Sequence, residues 1–252
     1  MPLSVGAALA LKTLLAISPH LDDAIFSAGA LLWSLRQRGW RVVVATVFTG
    51  NVERPSGFAL ACQLDKGLSA DIDYMALRRQ EDRRACALLD VEPDHLPLLE
   101  APHRGYANAL ALFDKVLPHD QIEDQVRREL TSVLADVQPH VILAPLAVGG
   151  HVDHVIVRRA VEALTAPRGL WLWEDWPYVD RGGSTERRGS RVLTVSSKAR
   201  RAKINACACY ASQLGFQFGG AGALAAALDE QKSEWYRRAR AMTWEPIKVV
   251  RG

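Results

Sequence analysis

Pro19-His20-Leu21-Asp22-Asp23 sets one imidazole and two carboxylates within four residues, directly after the apolar run Leu14-Leu15-Ala16-Ile17. A second compact group, Gly149-Gly150-His151-Val152-Asp153-His154, follows another apolar run, Val141-Ile142-Leu143-Ala144. A catalytic zinc site takes three protein ligands of N and O type and keeps one position for water. His20, Asp23 and His154 supply such a set from two strand ends. Asp22 is then left beside the metal as a general base for the attacking water, because neighbouring side chains on an irregular loop point in different directions. A metal so held lowers the pKa of a bound water towards about 7 and polarises a scissile carbonyl. His151, one helical turn before His154, suits the oxyanion donor or the acid that protonates a leaving amine. Asp153 is placed to orient one of the histidines. A His₂Asp set with open positions suits Zn²⁺ and also Fe²⁺. The combination points to a metal hydrolase. The competing explanation is structural: each Asp or His group caps the helix that follows it.

These side chains need strand ends to hold them. Thr13–Ser18 reads as a strand and Ala24–Arg38 as a helix, stopped by Gly39. Arg41–Thr49 is a strand whose β-branched run implies burial on both faces, hence parallel neighbours. Gly50–Ile72 reads as irregular, Tyr74–Asp90 as a helix, Leu96–Leu99 as a short strand and Gln121–Asp136 as a helix. Val141–Pro145 is a strand and Val152–Leu164 a helix. The alternation predicts an α/β fold: a Rossmann-like, mostly parallel sheet with helices on both faces, in a single domain spanning residues 1–252. In such sheets ligands gather at the carboxyl ends of the strands, where both clusters fall. Leu170–Trp173 and Arg191–Val195 complete the strands, flanking a polar loop, Asp180–Ser190. Lys198–Ser212 and Gln231–Ala241 read as helices, with an irregular loop at Gly215–Gly222 near the site.

The bulk composition narrows the class. A net charge of +3 over 252 residues is too small to imply a nucleic-acid partner, and the Arg pairs read as solvated helix faces. Four cysteines without CxxC spacing read as reduced core thiols and point to the cytoplasm. The apolar stretch Leu3 to Leu11 has no basic residues ahead of it and reads as no signal peptide. No apolar run reaches about 18 residues, so no membrane span is expected.

With these residues in view, the chain resembles the PIG-L (LmbE-like) family of zinc-dependent N-deacetylases. The family's motif after the first strand corresponds to Ser18-Pro19-His20-Leu21-Asp22-Asp23, and its later H-x-D-H motif to His151-Val152-Asp153-His154. Leu77-Arg78-Arg79-Gln80-Glu81-Asp82 resembles an intervening helix, and Trp173–Tyr178, Lys203 and Tyr210–Gln213 resemble later segments. The resemblance implies removal of an acetyl group from an amino sugar of N-acetylglucosamine type or its conjugate, a small-molecule substrate. It implies His20, Asp23 and His154 as metal ligands, Asp22 as base, His151 as oxyanion or amine partner, and Arg78 as a substrate-binding arginine. Three departures stand out. Leu21 replaces a proline, Ala24 stands where many members carry Glu, and Gly149 lies near a tyrosine position, for which Tyr178 is a candidate substitute.

Asp175 and Tyr178, with Glu174, are expected to line the substrate pocket beyond the Leu170–Trp173 strand; a turn is the competing explanation. Arg78 has its own bland alternative, a surface pairing with Glu81 or Asp82. Two further functions fit the same residues: a sugar-binding protein without turnover, and an amidase acting on a non-acetyl amide of a sugar conjugate. A nucleotide enzyme is disfavoured, since two carboxylates occupy the place where phosphates bind.

Overall fold

The apolar run Thr13–Ser18 forms the central strand, β1, and its alternation feeds two cores. Leu14 and Ala16 join the cluster on one face of the sheet, and Leu15 and Ile17 join that on the other. This is why the run is unbroken: a strand covered on both faces has no solvent side to make polar. The computed structural model describes residues 11–165, 169–181 and 189–239.

After β1 come α1 (Asp23–Arg36), β2 (Arg41–Thr46), α2 (Gly57–Leu64), α3 (Tyr74–Leu89) and β3 (Glu92–His95). The chain continues through α4 (Ile122–Val137), β4 (Val141–Pro145), α5 (Val152–Leu164) and β5 (Leu170–Trp173). It closes with β6 (Ser190–Thr194), α6 (Ser197–Cys207), α7 (Ala211–Phe218), α8 (Ala221–Glu230) and β7 (Ser233–Arg238). One seven-stranded sheet has the order β3-β2-β1-β4-β5-β7-β6. The first five of these are parallel, and β7 runs antiparallel to both β5 and β6. Helices α1, α3 and α6 pack on one face and α4 with α5 on the other, giving the doubly wound, Rossmann-like architecture expected.

The order has one consequence for function. From β1 the chain moves outward through β2 to β3, then returns to add β4 and β5 on the opposite side. The carboxyl ends of β1 and β4 therefore flank the point where the winding reverses, and the connections leaving them diverge to open a crevice. Both His/Asp clusters sit there.

Five segments differ from the sequence expectation. The short strand precedes Leu96: it is Glu92–His95, half exposed at the sheet edge, while Leu96 and Leu98 turn inward and bury in the core. Gly50–Ile72 contains α2. The helix expected over Lys198–Ser212 ends at Cys207, and α7 starts at Ala211. Gly215–Gly222 is mostly helical, because its turn is confined to Gly219 and Gly220 at φ +80° and +119°. The helix expected at Gln231–Ala241 is instead β7, in which Glu234 and Tyr236 are buried between half-exposed neighbours. A buried glutamate hides that period of two. Its carboxylate receives Lys203 Nζ at 2.8 Å and the backbone N–H groups of Ala30 and Leu31. Most of the Asp180–Ser190 loop and nearly all of the Leu3–Leu11 stretch lie outside the described residues. All four cysteines are unpaired; Cys86 and Cys207 are buried as expected, whereas Cys62 and Cys209 are only half-buried. Among the described residues no helix is long and apolar enough to cross a membrane.

Candidate active site

Four residues, 19–22, separate β1 from α1, and every one is tied down. Leu21 is buried against Tyr74 and Met75 of α3, and the Pro19 carbonyl accepts the Phe48 N–H at 3.0 Å. The Ser18 hydroxyl donates to the His20 carbonyl at 2.7 Å and accepts the Ala24 N–H at 3.0 Å. A serine on the strand thus supplies an oxygen to the helix start, and Asp22 makes no cap bond of its own. The structural explanation for Asp22 is thereby ruled out. Its backbone lies at φ 158° and ψ −34°, a conformation few L-residues adopt, and strain of this kind concentrates at functional sites.

Past β4 the chain reverses through a short 3₁₀ turn, Val148–Gly150, with Gly149 at φ +83°. Here the capping explanation holds in part. His151 Nδ1 accepts the Asp153 N–H at 3.2 Å at the start of α5. With Nδ1 so engaged, the proton of the neutral ring sits on Nε2.

The two loops meet at Asp23. Its Oδ2 lies 3.2 Å from His20 Nδ1 and 3.2 Å from His154 Nε2. The three expected ligands place their donor atoms within 4.8 Å of one another, all in buried residues. The far nitrogen of each histidine is fixed by a carboxylate: His20 Nε2 by Asp153 at 2.9 Å, and His154 Nδ1 by Asp175 at 2.8 Å. Such partners set the tautomer and aim the free lone pair inward. His154 Nε2 is buried and makes no well-directed hydrogen bond, although Asp23 Oδ2 stands 3.2 Å away, so a cation between the two would satisfy both. His20, His151 and Asp153 form a second close group, but Asp153 is already committed to the Ala101 N–H at 3.0 Å and to Arg104 at 2.7 Å. The donor set of His20, Asp23 and His154 therefore fits a small divalent cation.

The electrostatics agree. Burial opposes charge on His20 and His154, yet the surrounding carboxylates outweigh it and raise them to about 9 and about 10. Burial also works against the Asp23 anion, but the two histidines hold its carboxyl well below the usual range. Positive charge is favoured at this point. Asp22 behaves differently: burial pushes it up to about 7 against the opposing pull of Arg78. His151, desolvated and beside His20, falls to about 3 and is neutral.

The cluster forms the floor of a cavity of about 260 Å³, lined also by Arg78, Glu100 and Tyr178. Arg78 ignores Glu81 and Asp82. Its guanidinium donates to Glu100 and the Leu21 carbonyl at 3.3 Å and lies 3.6 Å from Asp22 Oδ2. Glu81 instead accepts from Ser212, and Asp82 from His95 and Tyr210. Tyr178 packs over Gly149, where an added Cβ would stand 3.5 Å from it, and its ring lies 5.2 Å from that of His154. Asp175 corrects the expectation: it does not line the pocket. It is buried behind His154, with its second oxygen accepting the Val148 N–H at 2.8 Å. Asp175 points inward, and the chain beyond β5 reaches the cavity only at Tyr178.

Two contributors escape sequence reasoning. Glu100 comes from a loop with no periodicity. Arg104 is buried between Asp153 and Asp120, with Nη2 at 2.7 and 3.0 Å, and its partners are far away in the sequence. Only the charge of Arg104 hints at a role, and the sequence holds many such charges.

The model of the PIG-L family, described as GlcNAc-PI de-N-acetylase, matches residues 15–165. The 2′-N-acetylparomamine deacetylase of Streptomyces fradiae is 34% identical over 170 residues, covering 66% of this chain but only 57% of that protein. The crystal structure of the zinc-inhibited form of teicoplanin deacetylase Orf2 is 30% identical and superposes with a TM-score of 0.74, covering 92% of this chain and 100% of that one. The A40926 pseudoaglycone deacetylase Dbv21 is also 30% identical, with a TM-score of 0.73 over 91% of this chain and 98% of its own.

Proposed function

The chain belongs to the PIG-L family, and from that premise we propose that it is a zinc-dependent deacetylase that hydrolyses the N-acetyl group of an amino sugar or its conjugate. The observation that carries this is the meeting of His20 Nδ1, Asp23 Oδ2 and His154 Nε2 at the switch point of the sheet, with Asp22 beside them. His20, Asp23 and His154 would hold the cation, which would supply Lewis acidity toward the acetyl carbonyl and toward water.

The side chains divide the remaining work. Asp22 accepts a proton from the attacking water, and its raised affinity for that proton lets it pass it to the nitrogen as the C–N bond breaks. His151 carries its proton on Nε2 and donates it as a hydrogen bond to the developing oxyanion. Tyr178, lodged over Gly149, borders the same space. Arg78 and Glu100 present a donor fork and an acceptor to the sugar hydroxyls. Water and the amide become acetate and a protonated amine, both protons of the water ending on the nitrogen.

Asp153 and Asp175 hold the ligands rather than the substrate. Fe²⁺ fits the same donors. The reading includes a single domain working in the cytoplasm on a small amino-sugar substrate. Amine and acetate release from a panel of N-acetyl amino sugars and their conjugates tests it. Equimolar amine and acetate from at least one member is expected; a full panel without either product contradicts it.

A further inference from the structure

The mouth of the cavity is unlike its floor. Phe113 and Phe216 both line it, and both are exposed, at 43% and 63%. Phe58 and Leu112 join them, and Leu110, next to this rim in the chain, is 74% exposed. These side chains come from separate connections. Phe58 is carried by α2, Phe113 by the 3₁₀ turn Ala111–Phe113 ahead of α4, and Phe216 by α7. No single amphipathic helix or sheet edge accounts for apolar groups gathered from three places around one opening. A contiguous exposed apolar patch rimming a polar pocket marks a binding surface.

The rim is continuous with the chemistry. The Phe113 ring meets that of His151 edge-on at 5.2 Å and lies 5.9 Å from Tyr178. Lys66 Nζ lies 5.1 Å from the Phe216 ring and 5.4 Å from that of Tyr74 inside the cavity. An acetamido group at Asp22 and His151, with its sugar hydroxyls on Arg78 and Glu100, directs whatever is attached to the sugar outward between these rings.

Building on the deacetylase reading, we infer that the rim is an aglycone site and that the preferred substrate is an N-acetyl amino sugar bearing an apolar aglycone, not a free, wholly polar saccharide. A polar second sugar gains little from phenyl rings and loses water. An alkyl or aromatic aglycone removes the same rings from solvent.

The probes are octyl and methyl N-acetyl-β-glucosaminide, which share the reacting amide and differ only in the aglycone. The octyl compound is expected to show kcat/KM about tenfold higher or more, carried by KM, which corresponds to about 1.4 kcal/mol of binding. Phe216→Ser is expected to cut the octyl-to-methyl ratio about tenfold. Equal kcat/KM for the two glycosides, or a ratio that Phe216→Ser leaves untouched, overturns the inference while leaving the deacetylase reading in place. If neither glycoside is cleaved, the deacetylase reading takes the loss, and calorimetric binding to Asp22→Asn decides the aglycone site. Tighter octyl binding that Phe216→Ser abolishes supports the site, and equal binding overturns it. A concentration-dependent rise in mass that Phe216→Ser removes would assign the rim to a second copy of the chain, and so also overturns it.

Discussion

The loops leaving β1 and β4 meet the same requirement in opposite ways. Each joins a parallel strand to a helix at the switch point, and each leaves orphan N–H groups at the helix start. After β1, Ser18 supplies the oxygen from the strand, so Asp22 is free for the site, while Asp23 Oδ2 also accepts the His20 N–H at 2.9 Å. After β4, a site residue does the capping itself: His151 Nδ1 takes the Asp153 N–H, and that bond selects the proton-bearing nitrogen that faces the reaction. The first loop separates structure from chemistry, and the second merges them. The first therefore tolerates repair at its scaffold, whereas the second does not.

Breaking the meeting point of the loops has the largest effect. His154→Ala removes one of three ligands and opens a buried hole beside Asp175; metal analysis and amine release should both fall to background. Asp22→Asn touches only the first loop's chemistry. It should slow amine release by about 10²- to 10⁴-fold, with metal content near that of the parent protein. The carboxylates behind the histidines come next. Asp153→Asn and Asp175→Asn should each weaken metal binding by about 10- to 100-fold in a competition with a chromogenic chelator. Asp153→Asn should also lower the melting temperature more than Asp175→Asn, because it removes a negative partner of the buried Arg104. Smallest of all, Ser18→Ala should cost about 1 kcal/mol in urea unfolding, with the metal still bound. A normal rate in Asp22→Asn, or a metal-free Ser18→Ala, would break the contrast between the loops.

Much of the candidate site is legible in the sequence, because the residues proposed as ligands follow closely on the strands that carry them. The apolar runs at 14–17 and 141–144 mark strands buried on both faces, and short-range spacing does the rest. What the sequence conceals depends on contacts across the chain. Asp175 lies two residues past β5 and looks like a rim residue; only the inward turn shows it gripping His154. Arg104 and Glu100 lie in a connection without periodicity, and their partners are Asp153 and Arg78. The antiparallel β7 is misread as a helix because Glu234, a buried acid held by Lys203, imitates a solvated helix face. The glycines at 215 and 222 suggest a loop, yet both fall within helices. Charge and glycine mislead where burial overrides them.

The most direct test of a single site built from two loops is a titration of the metal-stripped protein with Zn²⁺, following bound metal and amine release together. Saturation at one ion per chain, with release rising in proportion and neither seen in His154→Ala, is the predicted result. Full release from the stripped protein, or an ion bound equally well by His154→Ala, would contradict it.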